Sequence, residues 1–362
     1  MKHCGLLLSV VCILSQSAPA VELWGLSRGT PEIASADVLT FGPEDILFIG
    51  DNKSAAIFAV ATGDKEGTPA TSDINIEDVA AKIGDVAGGK AVIRDLVANP
   101  ATGNVFIAAA VDGKAALLKI DGAGKISAVP LQDIRFAKAA LKDAPEDKVT
   151  GNGGRQRNLR EQTITDLAFY EGKVLVSGLR SSDSPSSVRE LSFPFAVNDK
   201  GVSVEIYHAA HGRDEDYAAA RTIVPMNIDG EPSLLAAYVC TPLVKIPLKD
   251  VDAGGDKVRA TTVAELGNRN QPLDMVSYTR DGKTFLLLSN SARGVMKITT
   301  AGLSSNAGLT EPVRGGGTAG QSYETIKSME GVVQMDKLND DHAVILVQTD
   351  NGIQNLRTVA LP

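Results

Sequence analysis

The sequence predicts an all-β fold in which six antiparallel sheets of four strands repeat around a ring. Three observations predict it. The 362 residues hold 35 Gly but only 9 Phe, 6 Tyr and 1 Trp, and long amphipathic helical runs are scarce. A short pattern recurs six times along the chain: two apolar residues, a variable residue, then another apolar residue. Each copy follows a more continuous apolar strand, and where the two are parted by turn residues such as Asp112-Gly113-Lys114 or Asp350-Asn351-Gly352, short strands with tight turns read as hairpins.

The copies are Ile57-Phe58-Ala59-Val60, Leu117-Leu118-Lys119-Ile120, Val188-Arg189-Glu190-Leu191, Leu243-Val244-Lys245-Ile246, Val295-Met296-Lys297-Ile298 and Leu356-Arg357-Thr358-Val359. The strands before them include Ile46 to Ile49, Val105 to Ala108 and Phe285 to Leu288. A further strand precedes each pair, as in Asp37-Val38-Leu39-Thr40-Phe41 and Asp166-Leu167-Ala168-Phe169-Tyr170. Outer fourth strands follow most copies, for example Ser203 to Tyr207 and Arg259 to Val263. Radial repetition of such units is a six-bladed β-propeller. The last unit runs out of chain at Pro362, so Val21 to Leu26 is expected to supply its outer strand and close the ring. Five periods separate Ile57 from Leu356, about 60 residues each. That exceeds a compact blade of roughly 40–50 residues. The excess is expected as helical and loop insertions on one rim. Ile76 to Ile83 reads as a short amphipathic helix, and Phe136 to Leu141, within the insertion Asp133 to Gln162, as helical.

Residues 1–20 read as an export signal. Lys2 starts it, Leu6 to Leu14 is too short an apolar stretch to span a bilayer, and Ala18-Pro19-Ala20 is a cleavage pattern. Residues 21–362 are then one propeller domain, exported to a periplasm or the cell exterior. Cleavage leaves Cys240 as the only cysteine, expected as a buried small hydrophobe in an apolar strand. A net charge of −8 argues against nucleic acid or an anionic membrane as the main partner.

Two clusters carry candidate chemistry. Asp37, Asp95, Asp166 and Asp274 each open an inner strand, so their carboxylates are expected at one channel mouth. A ring of oxygens suits a divalent cation such as Ca²⁺, or each Asp caps its own connection. Arg94, Arg160 and Arg221 lie near the same loops and offer neutralisation without metal. The second cluster is His208-Ala209-Ala210-His211-Gly212-Arg213-Asp214-Glu215-Asp216. Its histidines and carboxylates suit Zn²⁺ or acid–base work, although alternation along a strand does not place both rings on one face unless a loop folds them together. Arg155, Arg157 and Arg160 beside Gly153-Gly154 offer contacts for an acidic sugar or a phosphate, and the loop Gly267 to Pro272 for a sugar or a peptide.

Through the six copies and the four leading aspartates, the chain resembles exported bacterial propellers of the YVTN, NHL and gluconolactonase-like kind. The resemblance implies a propeller fold and, for the gluconolactonase-like group, a divalent cation in the channel held by carboxylate and Asn ligands. Of these, only the Asp positions match. Two functions follow. One is a non-catalytic module that binds a protein, peptide or glycan through its insertion-bearing rim. The other is a hydrolase of lactone or ester bonds dependent on Ca²⁺ or Zn²⁺, with the Asp ring holding the cation and His208 or His211 handling the proton.

Overall fold

In the computed structural model, residues 23–196, 201–253 and 255–362 are described. The export signal lies outside them. Within them, six sheets each begin on an inner strand and continue outward through two hairpin-linked strands. The inner strands are Val38–Phe41, Ala91–Ala98, Asp166–Tyr170, Thr222–Ile228, Pro272–Arg280 and Val332–Lys337, which define blades 1 to 6 in chain order. All six apolar copies fall in third strands, from Ala56–Ala61 in blade 1 to Gln354–Ala360 in blade 6. The molecule is a six-bladed β-propeller.

The order of blades around the ring differs from their order in the chain. Inner strands pack as neighbours in the sequence 2-1-3-4-5-6, with blade 6 returning to blade 2. The core shows the same order. One apolar cluster joins Phe41 and Leu47 of blade 1 to Phe106 and Leu117 of blade 2. Another joins Phe48 and Ile57 of blade 1 to Leu167 and Val176 of blade 3. A third joins Ile107 and Leu118 of blade 2 to Leu346 and Leu356 of blade 6. Sheets twisted about a common axis bury their faces against their neighbours, so the seams hold the apolar core.

Closure is where the sequence expectation fails. The outer strand of blade 6 is Asn75–Ile76, which pairs Ile76 with Leu356 and Asn75 with Arg357. Residues 21 and 22 lie outside the described set, Leu23–Gly25 is a short 3-10 turn, and Ser27–Gly29 joins blade 1 instead. Burial explains both outcomes. Ile74, Ile76, Val79 and Ile83 fill the seam between blades 2 and 6. Trp24 stacks on Phe193 at 5.9 Å and Leu26 is buried at the seam between blades 1 and 3, away from blade 6. A helix is present but shifted from the expected Ile76 to Ile83: Asn75–Ile76 is the strand, the helix is Val79–Ala87, and the Asp78 side chain caps it by accepting from the Ala81 N–H.

Phe136 to Leu141 is not helical. Ile134–Ala140 is the outer strand of blade 1, pairing Phe136 with Val60 and Ala140 with Ala56. The alanines favour helix, but without this strand the backbone of Ala56–Ala61 would be an open edge. Alternation then turns Ala137, Ala139 and Leu141 toward the seam core and sets the Lys138 amine over the Phe58 ring at 5.1 Å. Cys240 also departs from expectation. It is half-buried in the turn that follows the strand Glu231–Ala237, with φ of +66°.

Candidate functional site at the channel mouth

Residues of all six inner strands surround a cavity of about 550 Å³ at one mouth of the channel; in blade 2 they come from mid-strand, because Ala91–Ala98 begins four residues before Asp95. Asp37, Asp95, Asp166 and Asp274 all line it, as the register of the repeats implies. Asp147, Asn158, Arg160 and Glu161, from the insertion between blades 2 and 3, form part of its wall. That insertion lies hard against blade 3, since a Cβ on Gly178 would sit 2.0 Å from the Thr163 carbonyl oxygen.

Three of the four aspartates tie one blade to the next. Asp95 accepts from the Leu39 N–H of blade 1 at 2.7 Å. Asp166 accepts from the Ile223 N–H of blade 4, and Asp274 from the Met335 N–H of blade 6, both at 2.7 Å. The second oxygen of each accepts the N–H of the following residue, at 2.7 to 2.8 Å. Asp336 makes the same bridge from blade 6 to the Ala98 N–H of blade 2 at 2.7 Å. Sequence reading missed it because it lies late in its strand rather than at the head. Asp37 differs: it accepts from Ser35 Oγ at 2.5 Å and the Asn52 N–H at 3.1 Å, both local to blade 1.

These bridges sit in a poorly solvated throat, and burial penalises the charged form. It pushes the Asp166 and Asp336 carboxyls up to about 6. Burial first, and then the charge of Asp274, hold Asp95 well above the ordinary range. Burial and the charge of Asp166 do the same to Asp274.

The cations around the mouth are less committed. Arg160 donates to the Pro145 and Lys53 carbonyls. The Arg221 Nε is buried without a partner. Lys53 and Arg94 line the same cavity. Among the described residues, Lys53, Arg94 and Arg221 have no carboxylate within ion-pair distance.

The histidine cluster lies elsewhere. Val202–His208 is the fourth strand of blade 3, and a tight turn with Gly212 at φ of +65° returns it as Arg213–Glu215. The register pairs His208 with Arg213 and Ile206 with Glu215, which places all four on one face. The turn folds His211 back over His208, so the ring centroids are 3.8 Å apart. Glu215 receives His208 Nδ1 and His211 Nδ1, each at 2.7 Å, and Arg213 Nε at 2.9 Å. Burial opposes its ionisation, yet hydrogen bonds from His208, His211, Arg213 and Tyr217 prevail and bring it down to about 2. Burial lowers His208. Neither histidine lines the channel-mouth cavity. The structure therefore joins the two histidines and joins the four aspartates, but does not bring the two groups together.

Of the predicted basic spot Arg160 lines the cavity, whereas Arg157 and the loop Gly267 to Pro272 do not. Arg157 belongs to a small exposed hairpin with Val149–Thr150. In the loop Gly267 to Pro272, the Asn270 amide donates to the Gly267 and Asn268 carbonyls and so serves the loop itself.

No family model matches the chain, and no curated protein matches it. Solved structures do. The extracellular region of plexin A4 aligns over 93% of this chain at 9% identity with a TM-score of 0.44; the alignment spans 47%, about half, of the plexin chain. A structure described as glucose dehydrogenase aligns over 93% of this chain and 99% of its own, at 10% identity and a TM-score of 0.37. The C-terminal WD40 domain of Sif2 aligns over 93% and 98%, at 10% identity and a TM-score of 0.36.

Proposed function

We propose that this chain is an exported, non-catalytic binding module whose site is the channel-mouth cavity, and that its ligand carries carboxylates, as an acidic glycan or acidic peptide does. One observation carries the reading: Lys53, Arg94 and Arg221 line a cavity in which Asp95, Asp166 and Asp274 are already bonded to neighbouring blades and Asp37 to its own. A carboxylate offered to an uncommitted guanidinium gains charge-assisted hydrogen bonds, each contributing about 1.5–3 kcal/mol. The size, about 550 Å³, suits a few sugar or amino-acid units. Export rests on the signal read in residues 1–20, with residues 21–362 forming the mature domain. The hydrolase reading needs a proton-handling histidine beside the Asp ring, and His208 and His211 stand outside that cavity.

Calorimetric titration with oligogalacturonate, poly-glutamate peptide and neutral maltooligosaccharide tests this. The acidic probes are expected to bind, more weakly as salt rises, and the Arg94→Ala, Arg221→Ala double variant to lose at least roughly tenfold in affinity. Equal binding of acidic and neutral probes, or an unaffected double variant, sinks the reading.

A further inference from the structure

The hairpin at the seam of blades 3 and 4 gathers a second cluster of titratable side chains, none of which lines the channel-mouth cavity. Ligand atoms of His208, His211 and Glu215 lie within 4.8 Å of one another. A tetrahedral zinc ion, with bonds of about 2.0–2.2 Å to nitrogen and oxygen, sets its ligands roughly 3.3 Å apart. The three groups already converge, and sharing one ion would exchange the Nδ1 hydrogen bonds of His208 and His211 to Glu215, both 2.7 Å, for bonds to the metal. They are also held for it. His208 and Glu215 are almost fully buried, at 3% and 6% exposure, and the turn that seats His211 is tied down by the Gly212 N–H on the His208 carbonyl.

A second observation points to a ligand. His208 Nε2 and Glu265 Oε1 are both buried and both lack a hydrogen-bond partner. Glu265 is fully buried at the end of the outer strand of blade 4, and its other oxygen accepts the Ala210 N–H at 3.1 Å, inside the same turn. Orphaned buried polar atoms are costly, and two at one seam call for an occupant or an outer-sphere role around one. A cation answers the charge as well. Glu215 and Glu265 bring two carboxylates, and the one guanidinium bonded to Glu215, Arg213, is 63% exposed and able to swing into solvent. Val313 closes over the turn by donating its N–H to the Ala209 carbonyl at 2.9 Å.

We propose that this hairpin binds a divalent transition-metal ion of the zinc type through His208, His211 and Glu215, with the buried Glu265 carboxylate beside the turn helping to balance its charge. Imidazole nitrogen with carboxylate oxygen suits zinc or cobalt better than calcium, which prefers an all-oxygen shell. With its donors drawn from both strands of the hairpin and the turn between them, the ion would fix the turn that packs against Glu265 of blade 4.

The full chain, stripped with chelator and then titrated with Zn²⁺ and Co²⁺, tests this. One equivalent is expected to bind, the cobalt form to show the visible absorption of a four-coordinate nitrogen and oxygen site, and the melting temperature to rise with zinc. His211→Ala alters a partly exposed turn residue and should fold; it is expected to lose the cobalt spectrum and at least roughly tenfold in affinity. Glu215→Gln should do the same, while His342→Ala and Cys240→Ala leave both unchanged. Failure to retain stoichiometric metal overturns the proposal. So does binding that survives in His211→Ala and Glu215→Gln.

Discussion

Replacing Asp166 by Asn isolates the electrostatics of the blade-to-blade bridges. Asp166 bonds the Ile223 N–H of the neighbouring blade and the Leu167 N–H of its own, and burial raises its carboxyl from 3.8 to about 6. Below 3.8 the group is protonated whether the chain is folded or unfolded, and its share of stability is complete. As pH rises toward 6 the unfolded chain releases the proton while the folded chain keeps it, so stability falls. Above 6 both forms are ionised and the loss is complete. A shift of about 2 units at 1.36 kcal/mol per unit makes that loss at most about 3 kcal/mol. Asn fills the same space without titrating. It keeps one acceptor oxygen and gives up one N–H bond, a cost of about 1–3 kcal/mol that does not vary with pH. Urea unfolding of both proteins from about pH 4 to about pH 8 separates these effects. The expected result is an Asp166→Asn curve set lower at acid pH that converges on the wild type as pH rises. Two curves that stay parallel across that range would refute the reasoning.

Other expectations concern packing and closure. Gly178→Ala would place a methyl 2.0 Å from the Thr163 carbonyl oxygen, and is expected to cost about 1–3 kcal/mol by urea unfolding as the insertion is forced off blade 3. Ile76→Ala empties part of the seam between blades 2 and 6 and should cost about 2–5 kcal/mol, whereas the exposed Val92→Ala should stay within about 0.5 kcal/mol. Arg94→Ala, at an exposed position, is expected to leave the melting temperature unchanged while weakening the acidic probes in calorimetry.

The hairpins of this chain were legible because they are local. The six apolar copies mark third strands, the turn residues separate them from second strands, and a side-chain period of two needs no distant information. The four aspartates at one mouth followed from that register. The circular order 2-1-3-4-5-6 did not, since it depends on which seam each crossing segment buries. Asn75–Ile76 is only 2 residues long, and nothing in so short a stretch states that its partner is Leu356. Phe136 to Ala140 carries helix-forming residues whose preference yields to an unpaired edge 75 or more positions away in the chain. The meeting of His208 and His211 rests on a tight turn at Gly212, and the part played by Glu265 comes from another blade altogether.

A crystal structure of the chain soaked or grown with an acidic oligosaccharide tests the channel-mouth site most directly. The expected result is a ligand carboxylate inside the cavity in contact with Arg94 or Arg221, with the Asp95, Asp166 and Asp274 bridges to the neighbouring blades intact. Ligand bound on the outer rim, away from these residues, would contradict it.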